Sequence, residues 1–114
     1  MKAIVCGGRD FKNWPLLCGT LDALHAAEPF DRIATGAAPG ADTLADSWAR
    51  SRGISVERYY ALWRTYGKVA GPIRNQQMLE KEWPDVVIAF PGGKGTADMV
   101  ERAKKARIPV RTIA

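Results

Sequence analysis

Histidine occurs once in this chain, at position 25, and cysteine only twice, at positions 6 and 18. That scarcity rules out a metal centre of any recognised ligand spacing. Cys6 and Cys18 read instead as reduced thiols, the first ending a buried strand and the second on a helix, and His25 reads as helix surface. No apolar run approaches the about 18 residues that a membrane span requires, so no membrane partner is expected. The first residues, Met1-Lys2-Ala3-Ile4-Val5-Cys6, run straight into Gly7-Gly8-Arg9-Asp10. They lack the longer apolar region and small-residue cleavage site of a secretory signal, and they read as the first strand of a cytoplasmic protein. Repeats, low-complexity tracts and flexible linkers are missing too. No serine–histidine, cysteine–histidine or close carboxylate pair emerges, which removes classical nucleophilic and two-carboxylate chemistry. No cofactor is implied.

What is present is the composition of one ordinary domain. The 114 residues are 46% hydrophobic and 25% charged, enough for one real core and too few for two, so residues 1–114 are read as a single unit. The net charge of +5 favours anionic partners. Only Arg102, Lys104, Lys105 and Arg107 cluster, so charge alone does not separate nucleotides from nucleic acid.

Short β-rich runs recur at residues 2–6, 32–35, 54–59, 85–90 and 108–113. Between them, 15–27, 41–52, 73–82 and 96–106 carry apolar residues at three- and four-residue spacings, such as Leu17, Leu21 and Leu24, or Leu44 and Trp48. Strands alternating with helices predict an α/β fold with a parallel sheet. Because such crossovers are right-handed, the expected architecture is a three-layer, doubly wound, Rossmann-like sheet of five strands in the order 3-2-1-4-5. Its ligand crevice would open between strands one and four.

The strand-to-helix loops concentrate the glycines. After the fourth strand comes Pro91-Gly92-Gly93-Lys94-Gly95-Thr96, whose glycines allow close backbone approach to an anion and whose amides open a helix, so a phosphate is the expected occupant. A tight turn with Thr96 as a cap explains one or two glycines, not three. After the second strand, Thr35-Gly36-Ala37-Ala38-Pro39-Gly40-Ala41-Asp42 repeats the pattern. There Asp42 either meets a ligand hydroxyl or simply sits in the favourable field of a helix N-terminus. After the first strand, Gly7-Gly8-Arg9 offers Arg9 as a phosphate partner or as a plain surface arginine. The segment 59–72 reads as a long aromatic loop in which Trp63 or Tyr66 stacks on a base or caps the core; Arg74 and Asn75 follow near a helix start. Trp14, Trp48 and Trp83 read as packing or interface residues.

On these loops the chain resembles the SLOG superfamily of Rossmann-like domains, most closely its short YspA-like branch. The hexapeptide 91–96 is similar to the Pro-Gly-Gly-x-Gly-Thr signature of the LOG (lysine decarboxylase-like) phosphoribohydrolases, which release the base from nucleoside 5′-monophosphates, and Arg74 matches their motif arginine. Residues 35–42 resemble the Ser-Gly-Gly-Ala-x-Gly-Ile-Asp loop of the DNA-processing protein A family, and Pro72-Ile73-Arg74-Asn75 resembles its Pro-x-Arg-Asn segment. That family binds single-stranded DNA. The LOG signature continues to a glutamate three residues past its threonine, where this chain has Met99, with an acid only at Asp98. One position is about 100° around a helix, so the hydrolase carboxylate is displaced or missing.

Three functions follow as expectations. The first is binding or sensing of a nucleotide-like small molecule, through Gly7, Gly8, Arg9, Gly36, Gly40, Asp42, Trp63, Arg74, Asn75, Pro91, Gly92, Gly93, Gly95 and Thr96. The second is N-glycosidic hydrolysis of a nucleoside monophosphate, with Arg74 and Asp98 as the catalytic pair. The third is single-stranded nucleic-acid binding. The resemblance also implies a homodimer, for which the face carrying Leu44 and Trp48 is the candidate surface.

Overall fold

Strand β1 (Lys2–Cys6) runs through the middle of the molecule because its Ile4 and Val5 must be buried on opposite faces; neither exposes any surface. The computed structural model describes residues 1–114. From β1 the chain continues through α1 (Trp14–Ala27), β2 (Arg32–Thr35), α2 (Ala41–Ser51) and β3 (Ser55–Arg58). It then crosses back over the sheet through a single helical turn, α3 (Trp63–Tyr66), a 3-10 turn at Gly67–Val69, and α4 (Ala70–Glu82) into β4 (Val86–Ala89). Helix α5 (Lys94–Lys105) and strand β5 (Val110–Thr112) complete it.

All four strand pairings are parallel, and the order is β3-β2-β1-β4-β5. The expected doubly wound sheet is therefore the observed one. Alternation along β1 separates two cores. Ala3 and Val5 join Leu17, Leu21, Phe30, Ile33 and Trp48 beneath α1 and α2. Ile4 and Cys6 join Met78, Leu79, Val87, Met99 and Ala103 beneath α4 and α5. Burial lifts the Cys6 thiol to about 12, as expected of an inert core thiol.

Three expectations need correction. The stretch 59–72 is not one long loop: α3 and the 3-10 turn occupy its second half, and α4 begins at Ala70, before Pro72. Proline marks a boundary in sequence, yet in a first helical turn its missing N–H has no intrahelical acceptor to lose. Trp48 is fully buried, with its ring edge-on to Phe30 at 5.9 Å and its Nε1 donating to Asp22 Oδ1 at 2.9 Å. Leu44 packs in part against the same core, so Trp48 is spent inside the subunit and is not available as a dimer surface. His25 is half-buried rather than plain surface; its Nδ1 accepts the Phe30 amide at 3.0 Å and its ring stacks on Phe30.

Candidate functional site

The carboxyl ends of β1, β2 and β4 open into one cleft of about 980 Å³. In a doubly wound sheet this is the crevice where strand order reverses. Three loops form its floor by packing backbone against backbone. The Gly8 amide donates to the Pro91 carbonyl at 2.8 Å, and the Ala41 amide donates to the Gly8 carbonyl at 3.1 Å. Side chains have no room here: a Cβ on Gly92 would lie 2.2 Å from Thr96 Oγ1 and 2.7 Å from the Gly8 nitrogen. Gly40 has φ +82°, and a Cβ there would meet the Gly8 carbonyl oxygen at 2.2 Å. Gly40 thus supports the first loop from below and does not line the cleft.

Gly93 and Gly95 are different. Both line the cleft, neither has a positive φ, and a Cβ on either would meet no protein atom within 4 Å. They stand at the start of α5, whose N-cap is Gly93 and which no side chain caps. The amides of Lys94, Gly95 and Thr96 find no acceptor in the protein, so they form a ready anion site with the positive end of the helix behind it. The helix begins at Lys94, two residues before the expected start, which places Thr96 inside the first turn.

Arg74, on α4, reaches across the cleft floor. Its Nη1 donates to the Gly36 carbonyl at 2.7 Å and its Nε donates to Asn75 Oδ1 at 3.0 Å. Burial lowers its pKa, opposed by the nearby Asp42 charge, yet a guanidinium stays protonated. Asn75, buried on the same helix, donates from Nδ2 to the Gly95 carbonyl at 3.2 Å and to Asp98 Oδ2 at 3.0 Å. It fastens the first turns of α5 to α4. On the opposite rim the Arg9 guanidinium lies 5.7 Å from the centre of the Trp63 ring.

Asp42 lines the cleft with only 6% of its surface exposed. Burial raises its carboxyl to about 6, held from rising further by the Ala38 amide and by Arg74. Asp98 also lines the cleft, whereas Met99 is buried beneath β4. The displaced acid therefore does reach the cleft wall. Its Oδ2, however, already accepts from Asn75 and from Arg102 Nε at 2.8 Å.

The structure thus brings to one cleft every residue named from sequence except Gly40 and Tyr66. Tyr66, the other stacking candidate, lies outside it. Sequence reasoning missed Lys12, Lys68 and Lys94, which also line it. Lys94 sits inside the glycine-rich hexapeptide and was legible there; Lys68 arrives only because 67–69 coils against α4. Together with Arg9 and Arg74 they make five cationic groups against Asp10, Asp42 and Asp98. No group of three histidine, cysteine or acidic side chains is placed to hold a metal, and no helix is long and apolar enough to cross a membrane.

This geometry defines a Rossmann-like domain with a cationic crevice at its switch point. The profile of the YspA, cpYpsA-related SLOG family matches residues 1–66, and the chain belongs to that family. It is also similar to the Gene 61 protein of Mycobacterium phage D29, with 37% identity over 117 aligned positions covering 96% of this chain and 93% of the relative. Membership points to nucleotide-related binding or processing.

Proposed function

We propose that the cleft binds a nucleotide or nucleotide-derived small molecule by its phosphate, held on the Gly92–Thr96 turn. The observation that carries this reading is the pair Gly93 and Gly95. Glycine in a helical turn costs roughly 1 kcal/mol relative to alanine. At Gly95 no backbone torsion and no neighbouring atom requires that cost, and the position adjoins the unpaired amides, which supports an anion seated against them. Lys94, Arg9 and Arg74 supply the counter-charge around it, and the Trp63 ring offers a face for a base.

Binding is favoured over cleavage by the state of Asp98. A general acid for base departure must be free to reach the glycosidic nitrogen, and Oδ2 of this carboxylate is already engaged by Asn75 and Arg102, which hold the side chain in place. The test is calorimetric titration with the four ribonucleoside 5′-monophosphates, alongside Gly95→Ala. The wild type is expected to bind at least one of them with release of none of its base. Gly95→Ala is expected to match or exceed the wild type in thermal stability while losing most of its affinity. Unchanged affinity in Gly95→Ala would refute the phosphate assignment.

A further inference from the structure

Asp42 is a buried carboxylate that the protein meets with backbone amides alone. A carboxylate with so little exposed surface needs hydrogen-bond donors, and only backbone amides meet it, that of Ala38 on Oδ2 at 3.2 Å and that of Gly36. No side chain donates to either oxygen. The nearby guanidinium groups act on it through space and do not pair with it. Arg74 donates to the Gly36 carbonyl and to Asn75, and it forms no ion pair with Asp42; Arg9 lies over Trp63. The remaining titratable neighbour is the Cys6 thiol, which burial keeps protonated. Because Asp42 lines the cleft, a further donor can come from whatever the cleft holds.

Position narrows that donor. Asp42 opens α2, after β2, and the unpaired amides open α5, after β4; β1 lies between them. Two strand spacings separate those helix starts, roughly 10 Å. A phosphate and a pentose, with a hydrogen bond of about 2.8 Å at each end, bridge that gap. A base amino group would overshoot it.

We infer that Asp42 makes the cleft selective for ribonucleotides, its carboxylate accepting a hydrogen bond from a pentose hydroxyl that the deoxy counterpart lacks. This rests on the phosphate reading of the Gly92–Thr96 turn. Carboxylates that accept from ribose hydroxyls in other dinucleotide folds stand at the end of the second strand, a comparable place on the same sheet edge.

The experiment compares each ribonucleoside 5′-monophosphate with its 2′-deoxy and 3′-deoxy forms at pH 7.5, where the Asp42 carboxyl is ionised. A hydrogen bond to a buried charged group corresponds to roughly 10-fold or more in affinity. The wild type is expected to bind the ribonucleotide at least that much more tightly than one of the deoxy forms. In Asp42→Ala the preference is expected to vanish, with all three ligands bound at the weaker wild-type affinity. Asp42→Asn, which keeps the shape and a carbonyl acceptor, is expected to retain a reduced preference, and it serves should Asp42→Ala fail to fold. Equal binding of ribo and both deoxy forms by the wild type, with Gly95→Ala still defective, overturns this inference and leaves the phosphate site standing. Absence of binding by every nucleotide overturns both.

Discussion

The Gly8 amide donates to the Pro91 carbonyl at 2.8 Å, and this bond joins the first loop of the sheet edge to the fourth. It holds only because position 92 has no side chain. Gly92→Ala would bring a Cβ to 2.2 Å from Thr96 Oγ1 and 2.7 Å from the Gly8 nitrogen, and one of the two loops must move. The expected cost is roughly 1–3 kcal/mol, measured by urea unfolding. Gly93→Ala, with open space at the same spot, is expected to stay within about 0.5 kcal/mol of the wild type. Equal destabilisation of the two variants would contradict the packing described.

Asp42 makes stability depend on pH in the direction opposite to that of a paired carboxylate. Its carboxyl titrates at about 6 in the folded chain and near the ordinary aspartate value of 3.8 when unfolded, so between these pH values the folded state holds the extra proton. The corresponding stabilisation is complete below about pH 4 and is lost as pH rises through 6. It amounts to roughly 3 kcal/mol at most. Asp42→Asn is expected to be the more stable protein at pH 7.5 by about 1–3 kcal/mol, with the gap closing by pH 4.5. Parallel stability profiles for the two proteins would count against a buried, unpaired Asp42.

At the far end of α4, buried Glu82 accepts from the Tyr59 hydroxyl, while its Oε1 lies 3.0 Å from Arg32 Nε. Burial, followed by the Glu82 contact, lifts the Tyr59 hydroxyl to about 12. The arginine approaches off hydrogen-bond geometry and is partly exposed, so the tyrosine contact is the stronger link. Tyr59→Phe is expected to cost about 1 kcal/mol and Glu82→Ala about 2 kcal/mol. A chemical-denaturation series that found Glu82→Ala neutral would mean that α4 is held by its apolar contacts alone.

Asn75 is a positioning residue in this scheme. Asn75→Ala removes the bonds to the Gly95 carbonyl and to Asp98, which fix the first turns of α5 beneath the cleft. It is expected to lose about 1–2 kcal/mol of stability and to weaken nucleoside monophosphate binding several-fold without altering the preference between ribose and deoxyribose. A changed sugar preference in this variant would assign Asn75, rather than Asp42, to the pentose.

Much of this was written in the sequence. The five β-rich runs and the apolar spacings between them determine a parallel doubly wound sheet, because local periodicity and right-handed crossovers leave few other arrangements. The glycine-rich loops likewise announce a site at one sheet edge, since glycine clusters after strands are local signals. Tertiary structure alone decided what each of those glycines is for: Gly40 and Gly92 are required by neighbouring loops, whereas Gly93 and Gly95 face open space. It also turned Trp48 inward, started α4 ahead of Pro72, tied Asp98 to Asn75 and buried Asp42 with backbone donors alone. Each of these depends on distances between segments far apart in the chain. Periodicity records how a residue relates to its own helix or strand, but not which backbone will lie 3 Å away once the sheet has closed.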